Sequence, residues 1–313
     1  MDDTRQIDRR TYYDFPRAFE RVKALQPDAI IFSDGGPGCR WVGNEKGYAD
    51  PTNWSFLRSG EVYPGYDRWR ELQSGHADGG EWVPSECDVS IRPGWFYHER
   101  EDEEVKSVEH LVDLYYRSVG HNSTLLLNFP VTKEGLIHPS DSARAVDFHK
   151  QIQRELSDNL LKKAKIRASS TREARGREQG TKGNDMPGFQ TKNLTDDDFD
   201  TYWATPDGIL SATLEATFSK PTRLNRLMLC EYIPLGQRVK AFTVEYHDGR
   251  KWLPVDTGEA TTTIGHKRLL RFPTIRTRRL RISIADSRGP VCLNALGAYC
   301  APEGMAAGTP SLR

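Results

Sequence analysis

Acidic residues stand close to tryptophans in one stretch within the first hundred residues. Glu45 closely follows Trp41, Glu86 closely follows Trp82, and Trp95 ends the same stretch. An indole can pack against the apolar face of a sugar ring, and a pair of carboxyl groups can cleave a glycosidic bond. These residue types together predict a site for carbohydrate hydrolysis.

A helix and a short strand precede this stretch. Residues 29–32 form an apolar run that predicts a buried parallel strand, and the glycine-rich loop 33–38 follows it. Before the strand, Pro27–Asp28 ends a predicted helix over residues 14–26. That helix carries its apolar residues on one face at helical spacing, namely Phe15, Phe19, Val22 and Leu25.

The same order of elements repeats further along the chain. Strands are predicted at 87–91 and 125–127, and amphipathic helices at 105–119 and 141–156. Alternating helices and apolar strands predict an α/β fold with a parallel sheet. Catalytic groups of (β/α) barrels lie at the carboxyl ends of the strands, which is where the acids and indoles of this chain are concentrated.

The pattern changes near residue 160. Residues 212–218, 242–246 and 280–284 alternate between apolar and polar side chains, and the turn 247–249 contains Asp and Gly. Short alternating strands separated by turn residues predict an antiparallel β-sandwich.

These two patterns divide the chain into residues 1–157 and 158–305, with 306–313 expected as a flexible tail. The first part supplies only about three strand–helix units, whereas a complete (β/α) barrel has eight. It is therefore either a small open α/β domain or part of a barrel. The predicted fold class is α/β plus all-β, with the carboxyl-terminal half of a (β/α) TIM-type barrel followed by the sandwich.

The charge balance excludes two classes of partner. Lys plus Arg and Asp plus Glu both total 44, so the formal net charge is zero. No global field attracts nucleic acid or an anionic membrane, and a neutral substrate is expected. The first residues are charged where a signal peptide would be apolar, and no long apolar run predicts a membrane span.

Five cysteines stand at widely separated positions without a CxxC spacing, which argues against a structural zinc site. Most are expected to be small buried apolar residues. Cys292 and Cys300 form the one pair for which we consider a disulfide.

Several long motifs in the first part resemble one family of glycosidases. They are FSDGGP at 32–37, RWVGNEKGYA at 40–49, TNWS at 52–55, WVPSECDVSIRPGWFYH at 82–98 and NSTLLLNFP at 122–130. This stretch is similar to the carboxyl-terminal part of the catalytic domain of α-L-fucosidases, glycoside hydrolase family 29, in the subgroup that removes α-1,3/1,4-linked fucose. The resemblance implies fucosylated oligosaccharides or glycoconjugates as substrates and no cofactor. Relatives are commonly secreted or periplasmic, and no export signal is recognised in this sequence.

The resemblance also implies roles for particular residues. Glu45, in the RWVGNE motif, would be the general acid/base of a retaining mechanism, with Trp41 as an apolar wall beside it, and Glu86 is the runner-up. The family's nucleophile is an Asp of an FDG-type strand end that precedes the YYDFPRAF helix, where this sequence has no counterpart. Asp14 is read as a helix N-cap instead. We therefore expect the sequence as printed to be inactive alone.

Other residues of the same motifs are candidates for contacting the substrate, and each has a structural alternative. Asp34 lies next to the site or caps a glycine turn, and Arg92 contacts substrate or hydrogen-bonds loop carbonyls. Glu86 orients groups near the leaving sugar or pairs with an arginine. The full set of predicted substrate-binding residues is Asp34, Arg40, Trp41, Arg92 and Trp95.

The second part resembles the coagulation-factor type C, or discoidin, sandwich found appended to such fucosidases. The resemblance rests on NLTD at 193–196, DTYWA at 200–204, EYIPLGQRV at 231–239 and TIGHKR at 263–268. It implies a module that binds sugars or lipid head groups, so a non-catalytic carbohydrate-binding sandwich attached to a degenerate barrel is the alternative function.

Four residues of this second part have individual interpretations. Trp203 is expected in the core, and Glu231 with Arg238 is expected to form a buried ion pair. Asp196 and Asp200 offer oxygen ligands, which leaves a structural calcium ion as an open alternative.

Overall fold

The computed structural model describes residues 13–58, 60–173 and 188–302. The chain folds into two compact units. The sheet unit comprises Met1–Lys106 and Arg117–Ser142, and the sandwich unit comprises Ser107–Tyr116 and Ala143–Arg313. The predicted tail 306–313 lies outside the described residues. In those described ranges, no helix is both long and apolar enough to cross a bilayer.

The sheet unit contains a parallel sheet, as the sequence predicts. Its elements are α1 (Phe15–Leu25), β1 (Phe32–Ser33), β2 (Cys39–Trp41), β3 (Phe56–Leu57), β4 (Glu81–Trp82), β5 (Ser85–Ser90) and β6 (Ser123–Asn128). The described strands of the sheet pair in the order β1-β2-β5-β6, and every pairing in it is parallel. A short antiparallel pair, β3 with β4, stands apart from it.

One face of this sheet carries two acids, one indole and an exposed leucine. Trp41 pairs with Glu86, and Asp88 pairs with Leu126 in the next strand. Paired residues lie on the same face of a sheet, and residues two apart in a strand share a face. Trp41, Glu86, Asp88 and Leu126 therefore point to one side, where Leu126 is 47% exposed.

The prediction that residues 29–32 form a buried strand is wrong. Only Phe32 of this run is in β1, and Ile30 and Phe32 are 77% and 47% exposed. The cause is position, because β1 is the edge strand among the described strands and pairs with β2 alone. The strand predicted at 125–127 is present within β6, but the prediction that it is buried is wrong, because β6 ends the other side of the sheet and its exposure alternates.

The opposite face of the sheet is buried around Arg40. This side chain is fully buried, and it donates to the carbonyls of Leu72 and Val83 at 3.0 and 2.5 Å. Its third bond, of 2.7 Å, goes to Oδ1 of Asn53. Asn53 in turn donates to the Ser85 hydroxyl and to the carbonyl of His121, at 2.9 and 2.8 Å. The network joins β2 and β5 to the four separate segments that contain Asn53, Leu72, Val83 and His121.

The sandwich unit is antiparallel, as predicted. Its strands are β7 (Ala164–Ala168), β8 (Trp203–Ala204), β9 (Ala212–Glu231), β10 (Val239–His247), β11 (Trp252–Pro254), β12 (Arg268–Ser287) and β13 (Cys292–Tyr299). These described strands pair in the order β11-β10-β12-β9-β13-β8, and β7 pairs with β9. Trp203 is fully buried in the core of the unit, which confirms the expectation for that residue.

Two helices pack against this sandwich through buried charges. They are α2 (Val108–Arg117) and α3 (Pro139–Leu156), close to the predicted bounds. The Arg226 Nε atom of β9 lies 2.8 Å from Oε2 of Glu155, and the Tyr116 hydroxyl donates to the same oxygen at 2.9 Å. A boundary at 157/158 stays a prediction, while the helical segments 107–116 and 143–156 belong to the compact sandwich unit.

The predicted ion pair between Glu231 and Arg238 is wrong. The buried Glu231 carboxylate accepts backbone N–H groups of Arg238, Val239 and Gly265 at 2.6, 2.8 and 2.6 Å. The Arg238 guanidinium instead donates to the carbonyls of Leu235 and Pro290. Backbone N–H groups, and not the predicted Arg238 side chain, therefore bind the Glu231 carboxylate.

The disulfide between Cys292 and Cys300 that the sequence analysis considered does not form. Cys292 and Cys300 are both free thiols. Cys292 begins β13 and Cys300 directly follows its end, so the two lie at opposite ends of one extended strand. At about 3.3 Å per residue they are much too far apart for a bond that requires Cα atoms within roughly 7 Å of each other.

The buried pair of Arg226 and Glu155 yields a stability prediction. We expect Arg226→Met to lower the free energy of opening of the sandwich unit by about 3–5 kcal/mol, because Glu155 stays buried without its cation. Native-state hydrogen exchange of the β9 and β12 amides measures this. Arg276→Met, at an exposed position of β12, is the matched control; equal effects of both substitutions would contradict the assignment.

The Glu231 carboxyl predicts a dependence on pH. Burial raises its pKa from 4.5 to about 7, against the opposing effect of the three N–H bonds. Between these pH values the folded state keeps a proton that the unfolded state has released, so stability falls as pH rises through about 7.

Urea unfolding across this pH range should show that slope in the native sequence. The slope should be smaller in Glu231→Gln, which has no titratable group at this position. Glu215→Gln, on the surface of β9, should leave the slope unchanged. A free energy of unfolding that rises over the same interval would refute the prediction.

Candidate active site

Two hydrogen-bonded pairs of an acid and an indole connect β2 with β5 and the loops that follow these strands. Glu45, in the exposed loop after β2, accepts a hydrogen bond of 2.9 Å from Nε1 of Trp95, in the loop after β5. Conversely, Trp41 of β2 donates from Nε1 to Oδ1 of Asp88 in β5, at 2.7 Å. The pairs cross between neighbouring strands and thereby fix the two loops against each other.

Both carboxyls on the exposed sheet face have a raised pKa. Burial, and to a lesser extent the charge of Asp88, raises the pKa of Glu86. Burial also raises the pKa of Asp88, with the charge of Glu45 adding to the rise and the Trp41 bond opposing it. A raised pKa is the direction that suits a carboxyl group to donate a proton in catalysis.

Strand β6 supports the loop that carries Trp95. Asn128, at the carboxyl end of β6, donates from Nδ2 to the backbone carbonyl of Trp95 at 3.1 Å. The same amide reaches the Ser90 hydroxyl at the end of β5, 3.2 Å away. The strand ends thus hold the indole that binds Glu45.

The predicted substrate contact of Arg40 is corrected by its complete burial. Its guanidinium is used by the network around Asn53, and it presents no surface to a ligand. It immediately precedes Trp41, so its role is to anchor the strand that carries the indole.

Arg92 is also fully buried and structural. It lies 2.8 Å from Oδ2 of Asp141 and 2.9 Å from Oδ1 of Asp102. Its guanidinium stacks 4.7 Å from the centre of the Tyr97 ring. These contacts agree with the alternative that Arg92 has a structural role. Its main partners are carboxylates, however, and not the loop carbonyls that were expected.

Asp34 holds a neighbouring loop. Its Oδ2 accepts the backbone N–H groups of Gly65 and Tyr66 at 2.6 and 3.3 Å. The hydroxyl of Ser33, and not Asp34, accepts the N–H of Gly35 in the glycine turn. Asp34 therefore shapes the loop next to the site.

The acidic loop of the sandwich does not form a metal cage. Asp196 accepts the N–H of Asp198 at 3.0 Å and the hydroxyl of Thr201 at 2.7 Å, and Asp200 bonds Asp198 through its own N–H. Over residues 13–58, 60–173 and 188–302, no three His, Cys, Asp or Glu side chains converge as metal ligands. A calcium ion bound near Asp196 and Asp200 stays a prediction.

The sequence motifs had singled out Glu45, Trp41, Glu86 and Trp95 but not Asp88. A usable signal was present, because Asp88 stands two residues after Glu86 in a strand and must share its face. The supporting role of Asn128 carries no comparable signal, since it depends on where the next loop runs.

Two family models match separate parts of the chain. Residues 50–154 match the family described as Alpha-L-fucosidase, and residues 165–295 match the F5/8 type C domain. The first match begins just after Glu45, so it does not itself cover that residue.

Known proteins match over nearly the whole chain. Alpha-L-fucosidase 1 of Arabidopsis thaliana is 36% identical over 295 residues, which is 92% of this chain and 54% of the plant protein. A glycoside hydrolase family 29 member from an unknown rumen bacterium is 38% identical with a TM-score of 0.76, covering 97% of this chain and 48% of that chain.

A glycoside hydrolase family 29 fucosidase of Ruminococcus gnavus, solved in complex with fucose, is 29% identical with a TM-score of 0.77, covering 93% and 58% of the two chains. The chain spans about half the length of the curated relatives it matches. Residues 50–154 thus form an α-L-fucosidase family segment, in a chain whose relatives include glycoside hydrolase family 29 structures, and an F5/8 type C segment follows it at residues 165–295.

Proposed function

We propose that this chain carries the acid/base side of a retaining α-L-fucosidase that releases terminal α-1,3/1,4-linked L-fucose from glycans. The observation that carries the proposal is the exposed Glu45 carboxylate, held at 2.9 Å by the Trp95 indole at the carboxyl ends of parallel strands. The fucose complex of the Ruminococcus gnavus relative supports the substrate class.

The retaining mechanism assigns two tasks to one carboxyl group. A carboxylate nucleophile attacks the anomeric carbon while the bond to the leaving sugar's oxygen breaks, and the acid donates its proton to that oxygen. The same group, now a base, takes a proton from the water that releases fucose from the nucleophile. Glu45 suits both tasks because it is accessible and its orientation is fixed by one hydrogen bond.

Glu86 is the competing assignment for the proton donor. Its raised pKa favours the protonated form, but it lies within β5 on the sheet face rather than in a strand-end loop. We propose that Glu86 instead tunes the charge of the site, together with Asp88.

The remainder of the site is proposed to come from a further half-barrel. Ile30, Phe32 and Leu126 are exposed at the edge strands of the sheet or next to them, an arrangement that additional strands of a barrel would cover. The nucleophile Asp belongs to that half by resemblance. The sequence as printed is therefore proposed to be inactive until it is combined with such a half-barrel.

The leaving-group dependence of Glu45→Gln tests the acid assignment. In the enzyme completed with the amino-terminal half of a family relative, we expect this substitution to slow release of fucose from an oligosaccharide by about 10²–10⁴-fold. A nitrophenyl fucoside should be affected much less in its first step, because nitrophenolate leaves without being protonated. The values of kcat/KM on both substrates, which report the steps up to the covalent intermediate, measure the contrast.

Two variants control this experiment. Glu86→Gln should affect both substrates to a similar extent, and Glu104→Gln, an exposed acid of the 3₁₀ helix before α2, should affect neither. If Glu86→Gln shows the leaving-group contrast and Glu45→Gln does not, the two roles are exchanged. Activity of the printed sequence by itself would refute the need for a second half.

A further inference from the structure

The loop 91–106, which carries Trp95, is closed at its base by one lysine. The Lys106 ammonium donates to the backbone carbonyls of Ser90 and Arg92 at 2.7 and 3.1 Å. Both ends of the loop are therefore tied to the end of β5. The position of Trp95 within the loop depends on contacts that lie farther from this base.

Asp102, in the 3₁₀ helix of this loop, contacts a cation, a phenol and an imidazole. Its Oδ1 lies 2.9 Å from Nη1 of Arg92, and its Oδ2 accepts a hydrogen bond of 3.4 Å from the Tyr97 hydroxyl. Oδ2 also lies 3.5 Å from Nε2 of His138, in the segment between β6 and α3. One carboxylate therefore connects the beginning, the middle and the end of the loop with a neighbouring segment.

The side chains that Asp102 contacts also pack around the Tyr97 ring. The Arg92 guanidinium lies 4.7 Å from the centre of this ring, and the centre of the His138 ring lies 5.9 Å from it at an angle of 34° between the planes. Arg92 is fully buried, and a contact between a cation and an aromatic ring is stronger when the cation is shielded from water. Tyr97 is thereby held two residues after Trp95.

Two carboxylates share the charge of Arg92, and one of them is enough to neutralise it. Asp141 is fully buried, and its Oδ2 lies 2.8 Å from Nε of Arg92. A buried guanidinium that loses its counter-charge is strongly destabilising, and Asp141 supplies that charge. Asp102 is therefore a second acid beyond what the burial of Arg92 requires, and it is the one that reaches Tyr97 and His138.

This cluster is connected to the acid site through Trp95. In the sequence, Trp95 lies between Arg92 and Tyr97, which Asp102 holds. Its indole Nε1 donates to the Glu45 carboxylate at 2.9 Å. A shift of the loop would therefore move Nε1 relative to Glu45 and weaken this hydrogen bond.

We propose that Asp102 is a positioning residue for the acid site. Through Arg92 and Tyr97 it holds the loop in the position that places the Trp95 indole against Glu45. Its effect on catalysis rests on the proposed acid/base role of Glu45, whereas its effect on the hydrogen bond between Trp95 and Glu45 does not.

NMR spectroscopy of the whole chain tests the effect on this hydrogen bond. The Nε1–H signal of Trp95, assigned by its loss in Trp95→Phe, reports the bond, and Glu45→Ala gives the signal of the broken bond. We expect Asp102→Asn to shift the signal toward that of Glu45→Ala and to speed its exchange with solvent by about tenfold, since a charge-assisted contact is lost.

The matched control is Glu103→Gln, which neutralises an exposed acid next to Asp102 in the same 3₁₀ helix. It should leave the Trp95 signal unchanged. Asp102→Asn should fold, because Asp141 keeps the counter-charge of Arg92, and circular dichroism checks this. A folded Asp102→Asn protein with the native Trp95 signal would overturn the proposal.

A second variant decides the case if Asp102→Asn does not fold. Tyr97→Phe removes the hydroxyl that binds Oδ2 of Asp102 and keeps the aromatic ring that packs on Arg92. The Trp95 signal should shift in the same direction by a smaller amount. An unchanged signal in this variant would contradict the role of Asp102.

The completed enzyme gives a readout that a purely structural role would not move. Asp102→Asn should lower kcat/KM on the fucosylated oligosaccharide by about tenfold, because a displaced acid is costly, and should affect the nitrophenyl fucoside much less. Equal losses on both substrates would refute a positioning role.

The failure of this inference is distinguishable from the failure of the proposed function. If Glu45→Gln shows the leaving-group contrast and Asp102→Asn does not, the positioning role of Asp102 is wrong and the acid assignment stands. If the Trp95 signal shifts in Asp102→Asn but neither variant shows the contrast, the acid assignment of Glu45 is wrong and the effect of Asp102 on the hydrogen bond stands.

Discussion

A fully buried guanidinium without a carboxylate partner organises the sheet unit. Arg40 bonds two backbone carbonyls and the amide of Asn53, and burial lowers its pKa to about 10, so it stays charged at neutral pH. A buried cation is costly unless its donors are satisfied, so the loops that supply these acceptors must keep their positions. Gly75 is part of this constraint, because a Cβ there would meet Nη2 of Arg40 at 2.9 Å.

This constraint sets the position of the candidate site. Trp41 follows Arg40 directly and points to the opposite face of the sheet, where its indole reaches Asp88. The reciprocal bond from Trp95 to Glu45 then depends on the relative position of the same two strands. A rigid polar interior on one face thus fixes the geometry of the acids on the other.

Much of this organisation was accessible from the sequence. Apolar periodicity gave the helices and strands because burial of one face decides them, and the motif RWVGNE indicated Glu45 and Trp41. The roles of Arg40 and Arg92 were not accessible, since a charged residue in a motif looks the same whether it faces solvent or a buried network. The partners of Glu231 were not predicted for a related reason. They are backbone N–H groups, which every residue except proline has, so the residue types do not indicate them.

The attachment of α2 and α3 to the sandwich has a consequence for where the chain can be divided. Arg271 and Arg226 are direct neighbours across β12 and β9, and their acids, Asp113 and Glu155, both come from those helices. An excision that follows the limits of the F5/8 match would leave two adjacent like charges facing each other on a bare apolar surface. A fragment or chimera that keeps the sandwich unit intact must therefore include α2 and α3, and its boundary differs from the boundary between the two family matches.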